Sequence, residues 1–240
     1  EKERAMGIVV NAGGQIPNNL AHSLTRAGAV LLGTSSESID AAEDRAKFSA
    51  LLDSLGIAQP GWSALTSKEE ARRFARQIEY PVLIRPSYVL SGSAMRIAYN
   101  EPELDASLDL AASVSREHPV VISKFVRNAK EVDVDGVSDG ERVIIGAIIE
   151  HIEKAGIHSG DACMTIPPQT LKQSIIKTID YNSRRIALAL GIRGPFNIQY
   201  LVSGEKVMVI ECNLRASRTM PFVSKTWGTN LMELAAHVLV

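Results

Sequence analysis

Val207-Met208-Val209-Ile210-Glu211-Cys212-Asn213-Leu214-Arg215-Ala216-Ser217-Arg218 is the stretch on which the reading of the fold turns. Its first four residues are apolar and read as a buried strand. The strand then delivers Glu211 and Asn213 with one residue between them. Side chains alternate along a strand, so these two share a face and Cys212 takes the other. The run Asn197 to Leu201 lies just upstream, across Ser203-Gly204-Glu205, and the two runs read as a hairpin. With a three-residue connection, odd positions pair with odd, which puts Gln199 on the face of Glu211 as a diagonal neighbour. Three oxygen-bearing side chains on one face suit magnesium, which takes few protein carboxylates and completes its shell from phosphates. A polar strand end at the surface accounts for the same spacing and is, by spacing alone, the commoner case. Arg215 and Arg218 are three apart and would align in one helical turn. Guanidinium groups match phosphate bidentately, although a solvated turn with surface arginines fits that spacing too.

Upstream, Gly7-Ile8-Val9-Val10 reads as a buried parallel strand leading into the turn Asn11-Ala12-Gly13-Gly14. A helix from about Pro17 to Ala27 and a strand at Val30 to Gly33 complete a β-turn-α-β order, the start of a Rossmann-like layer. That layer is short of strands, so the chain is expected to be a piece of something longer. Helices are expected at Asp44 to Leu55, at Ser67 to Ile78 behind a Ser67/Glu70 capping box, and at Glu101 to Arg116. Strands are expected at Tyr80 to Arg85 and Arg96 to Tyr99. Antiparallel strands follow at Val120 to Phe125, Glu131 to Val137 and Arg142 to Glu150. Leu171 to Leu190 reads as a long helix and Leu231 to Val240 as a last one.

The 240 residues carry 45% hydrophobic and 22% charged side chains and a formal net charge of −1. This is the mix of an ordinary globular protein, and its charge gives no reason to expect nucleic acid or a membrane surface as partner. No apolar run reaches the roughly 18 residues of a spanning helix. Cys163 and Cys212 are far apart and lack zinc spacing. Both are read as structural, in a reducing compartment.

Other patterns are weaker. Arg85 closes a strand before Pro86-Ser87-Tyr88-Val89-Leu90-Ser91-Gly92-Ser93, whose small residues would let backbone N–H groups approach phosphate; an ordinary flexible loop reads equally well. The chain has no Walker sequence, which disfavours a P-loop fold. His158 in a Gly-rich connection is more often incidental than catalytic. Glu131, Asp133 and Asp135 share one strand face, which is read as the solvated edge of a sheet rather than a metal cluster.

Taken in order, several segments resemble the large chain of carbamoyl-phosphate synthetase. They are Gly13-Gly14-Gln15, Ala42-Glu43-Asp44-Arg45, Arg85 to Met95, Glu131 to Asp135, Glu150-His151, His158-Ser159-Gly160-Asp161, Glu211 to Arg218 and Pro221-Phe222-Val223-Ser224-Lys225. The wording of Arg85 to Leu90 and of Pro221 to Lys225 is similar to the second, carbamate-phosphorylating half. Val10-Asn11-Ala12 and Trp227 depart from the usual wording.

The resemblance implies α/β and α+β structure: an ATP-grasp fold preceded by a partial Rossmann-like (pre-ATP-grasp) layer. The layer would span residues 1–40 and help bind the acceptor. The ATP-grasp domain would span 41–240, with subdomains at about 41–125 and 126–240 clamping ATP. Arg85 would contact the ATP phosphates, Lys124 and Val126 would hold adenine through backbone groups, and Glu131 would take the ribose hydroxyls. Gly156, Ile157, His158 and Ser159 would line the nucleotide site. Gln199, Glu211 and Asn213 would bind magnesium or manganese. Arg45, Arg215 and Arg218 would face carbamate or the transferred phosphoryl group, with Asn213 beside them. The implied partners are ATP, carbamate, the other synthetase half and a glutaminase; the implied setting is cytoplasmic or mitochondrial. Another ATP-grasp ligase, a non-catalytic nucleotide module and an inactive fragment are the competing readings.

Overall fold

The computed structural model describes residues 5–86, 95–114, 120–156 and 162–239. At the N-terminal side, Ile8 and Leu31 form a parallel bridge, with Ile8 N donating to Val30 O at 2.8 Å and Leu32 N to Ile8 O at 2.9 Å. Helices α1 (Gln15–Asn19) and α2 (Ala21–Arg26) lie between these segments. The β-α-β order is as expected, but the strands shrink to that bridge. The expected single helix is divided at Leu20, whose N–H reaches Pro17 O at 3.1 Å in a tight i−3 contact.

Helix α3 (Ser36–Glu43) follows, unanticipated, capped by Ser35. Asp44 then caps α4 (Arg45–Ser54), its carboxylate accepting from Ala46 N at 2.9 Å and Lys47 N at 3.0 Å.

Strands β1 (Trp62–Leu65), β2 (Val82–Pro86), β3 (Arg96–Ala98) and β4 (Val120–Lys124) form an antiparallel sheet in the order β1-β4-β2-β3. Helices α5 (Lys68–Ile78) and α6 (Glu101–Val114) cover one face, packing Ala71, Ala75 and Leu104 on Val82, Ile84 and Ile122. Arg72 ties the two helices through both oxygens of Asp105, each at 2.9 Å. Alternation turns Arg85 to the uncovered face.

The second sheet has β5 (Lys130–Asp139), β6 (Val143–Lys154), β7 (Met164–Thr165), β8 (Arg193–Ser203) and β9 (Lys206–Asn213) in the antiparallel order β7-β6-β5-β8-β9. The apolar side of α7 (Gln173–Ala189) presses Ile175, Ile179 and Ile186 onto Val132, Val134, Ile198, Tyr200 and Val209, the main core. Helices α8 (Met220–Trp227) and α9 (Leu231–Leu239) cover one end of the opposite face, over Val137, Ala147 and Ile149. The rest of that face carries the acidic and amide side chains of β5, β8 and β9, with a small apolar cluster of Leu201 and Met208 at its far end. Among the described residues, no helix is long and apolar enough to cross a membrane.

Two expectations fail here. Strand β5 is the middle of five rather than a solvated edge: Glu131, Asp133 and Asp135 are 8%, 2% and 0% exposed. Alternation of apolar and acidic residues is the pattern of a half-solvated strand, but here Asn197, Thr219 and His151 close over Asp133 and Asp135. Cys163 is exposed, and only Cys212 is a buried structural thiol, its pKa raised by burial.

Candidate functional site

The hairpin connection is shorter than expected, because Ser203 pairs with Lys206. Val202 then pairs with Val207 and Tyr200 with Val209, an odd–even register. Past Val209 the ladder shifts by one, and Gln199 stands opposite Glu211 and Asn197 opposite Asn213. Ile210 is the extra residue. This bulge brings Gln199 and Glu211 to one face as expected, but as a direct pair and by a different route. The Ile210 carbonyl accepts a hydrogen bond from Arg45 Nη1.

Around this face the side chains hold one another. Asn213 Nδ2 donates to Glu211 Oε1 at 3.1 Å, and Arg215 Nη2 donates to Asn213 Oδ1 at 3.2 Å. Arg45 Nη2 lies 3.7 Å from Glu211 Oε2. Arg85, from the other sheet, belongs to the same cluster. Burial first, and Arg45 second, push its pKa down to about 9, still cationic at neutral pH. Burial likewise lowers Arg45, against the pull of Glu211 and Glu43. Arg85 Nε is buried and has no hydrogen-bond partner among the described residues. Two crowded guanidinium groups with a spare donor make a site for an anion.

The segment after Asn213 is irregular rather than the expected helical turn. Its polar side chains bond sideways: Arg215 Nε donates to Gln15 Oε1 at 2.9 Å, and Ser217 Oγ accepts from Met220 N at 3.0 Å to start α8. Arg218 is exposed. Asp135 anchors this segment from below, accepting from Thr219 Oγ1 at 2.6 Å and Asn197 Nδ2 at 3.0 Å; burial raises its pKa, against those bonds. Asn197 escaped notice in the sequence, although its two-residue spacing from Gln199 put it on the same face.

At the other end of β5, Glu131, Asp133 and His151 gather, with His151 Nε2 3.3 Å from Asp133 Oδ2. Burial raises Glu131; His151 and a hydrogen bond from the Gly156 backbone oppose it. Burial alone would lower His151, but the hydrogen bond and charge of Asp133 outweigh it. The structure thus brings Glu131 and Gly156 together. Ile157, His158, Ser159 and residues 87–94 lie outside the described residues.

A cavity of about 430 Å³ opens between the sheets, lined by Tyr80, Pro81, Lys124, Phe125, Val126 and Met208, among others. Its size is in the usual range for small-molecule sites, roughly 300–1,000 Å³. The Lys124 amide donates to Gly61 O at 2.7 Å. Lys124 Nζ is tied to Glu79 O at 2.9 Å.

Comparison with known proteins agrees with this architecture. Residues 44–240 match the family described as carbamoyl-phosphate synthase L chain, ATP binding domain. The multifunctional protein pyr-3 of Neurospora crassa is 50% identical over 240 residues, 100% of this chain and 13% of that protein. The mitochondrial carbamoyl-phosphate synthase [ammonia] of Homo sapiens is 51% identical over 239 residues, 100% of this chain and 16% of that protein. The chain therefore spans a small part of the curated relatives it matches. Among solved structures, a Campylobacter jejuni biotin carboxylase complex superposes with a TM-score of 0.81 at 19% identity, over 92% of this chain and 51% of that one. The biotin carboxylase domain of Hydrogenobacter thermophilus 2-oxoglutarate carboxylase, a complex with MgADP, gives 0.78 at 19% identity, over 92% and 50%. The fold is ATP-grasp, and the chain belongs to the carbamoyl-phosphate synthase large-chain ATP-binding domain family.

Proposed function

We propose that this chain is the ATP-dependent ligase unit that phosphorylates carbamate to carbamoyl phosphate, working beside the other half of a synthetase and a glutaminase. The observation that carries the proposal is the face made by Gln199, Glu211 and Asn213, ringed by Arg45, Arg85 and Arg215. The family match gives the ATP-binding framework. The wording of Pro221 to Lys225 favours the carbamate half.

The donor set fits magnesium. Gln199 and Asn213 offer amide oxygens and Glu211 a carboxylate whose side chain is 38% exposed, so it is both held and reachable. When bound there, the ion would offset charge on the phosphates. The remaining work falls to the chain's own groups. The cavity between the sheets would seat the adenine, with Val126 at its edge and Glu131 directed to the ribose. Arg85, with its unpaired Nε, would hold the phosphates. Arg45 and Arg215 would draw carbamate toward the γ-phosphoryl group. Carbamate is already an anion, so its oxygen attacks in line without a general base, and ADP leaves. The main barrier is bringing two anions together, which fixed cationic groups lower.

The test is the reverse reaction: ATP formed from carbamoyl phosphate and MgADP, which isolates this half from bicarbonate chemistry. Turnover that depends on the metal is expected. Absence of ATP under saturating substrates, with MgADP binding intact by calorimetry, would reduce the chain to a nucleotide-binding module.

A further inference from the structure

The Gly13-Gly14-Gln15 turn stands out in the sequence, and its Gln15 reaches the arginine behind the proposed metal face. Gly14 sits at φ 83° and ψ −156°, a conformation open to glycine, and turns the chain into α1 at Gln15. Gln15 then bridges two partners. Its Oε1 accepts from Arg215 Nε at 2.9 Å, 200 residues away, and its Nε2 donates to Asn19 Oδ1 at 2.9 Å. The guanidinium cannot accept a hydrogen bond, so the amide orientation is fixed by chemistry. Nearby, Asn11 O accepts from Ala216 N at 2.9 Å, so the N-terminal segment grips consecutive residues of the arginine loop.

We propose that Gln15 is a positioning residue for the acceptor anion. It fixes the plane of Arg215 while Asn213 takes one hydrogen of Nη2 and Ala216 O one of Nη1, the latter at 3.4 Å. A guanidinium has five N–H groups; these bonds use three, and among the described residues the other two, one on each terminal nitrogen, have no partner. Without Gln15, Arg215 keeps its charge but loses its fixed plane, and bidentate recognition suffers. This inference rests on the proposed carbamate-phosphorylating reading.

The experiment is steady-state ATP formation from carbamoyl phosphate and MgADP by the full-length protein, for wild type, Gln15→Met, Arg215→Lys and the double variant. Gln15→Met keeps the side chain's length and removes the acceptor. The expected result is a KM for carbamoyl phosphate raised roughly tenfold, about 1.4 kcal/mol, with the KM for MgADP and the melting temperature unchanged. In the Arg215→Lys background, where the Nε edge is gone, Gln15→Met should add nothing, because its effect runs through that edge. An unchanged KM for carbamoyl phosphate, equal losses for both substrates, or an additive effect in the double variant would overturn the role of Gln15. Failure of wild type to make ATP would overturn the functional reading itself, and the Gln15 proposal with it.

Discussion

Glu211 shows how much one side chain can hold. It accepts from Asn213, faces Arg45 and stands opposite Gln199, so it is at once a ligand candidate and the counter-charge for a crowded arginine pair. Glu211→Ala is expected to cut ATP turnover about a hundredfold or more, the usual cost of one electrostatic partner in such sites, of order 3 kcal/mol. The change also removes the counter-charge of buried Arg45, so the melting temperature should fall, and turnover is compared below it. Wild-type-like turnover in this variant would remove Glu211 from the metal site. Arg85 is the complementary case. Its unpaired Nε was invisible in the sequence, because burial against a second sheet is not a property of any local pattern.

At the scale of elements, Glu150 clips the segment after β7 to β6. It is buried and accepts from Gln169 N and Thr170 N, each at 2.8 Å, and from Lys130 Nζ and Thr170 Oγ1. Burial would raise its pKa, but these donors outweigh that and hold it at about 2, against an ordinary 4.5. A carboxylate lowered on folding stabilises the fold fully above about pH 4.5, and that contribution fades as pH falls from there toward 2. Glu150→Gln should therefore cost on the order of 3 kcal/mol at pH 7 and flatten the acid limb of a stability–pH curve. An unaltered limb would show that the clip carries no charge-dependent stability. The legibility of such elements varied for physical reasons. Alternation revealed β8 and β9 and their polar face, since it is a local property. The central place of β5 was hidden, because burial there depends on which strands flank it. Helix α8 was missed although Pro221 in its first turn and Ser217 before it are a helix-start signal. The contact of Gln15 with Arg215 spans too much chain for any local pattern to announce it.

Across the whole molecule, the N-terminal segment is seated on the start of β8. Thr34 Oγ1 both donates to Arg193 O and accepts from Arg193 N, each at 2.9 Å, and Asn11 packs over Gly194. Gly194 has φ 121°, and a Cβ there would lie 2.5 Å from Asn11 Nδ2. Gly194→Ala should cost about 2 kcal/mol or more through strain alone, read as a lower urea midpoint. An unmoved midpoint would mean that Gly194 does not hold this backbone conformation in solution. The bulge at Ile210 is what lets one ribbon serve both the packed interior and the ligand face. Before it, the odd residues Val207 and Val209 enter the core; after it, the even residues Cys212 and Leu214 do. The strand is thus written in two reading frames, with Ile210 as the frameshift. Remove that one residue without compensation, and every side chain beyond it changes sides: the thiol would meet the substrate, and the carboxylate would be driven into oil.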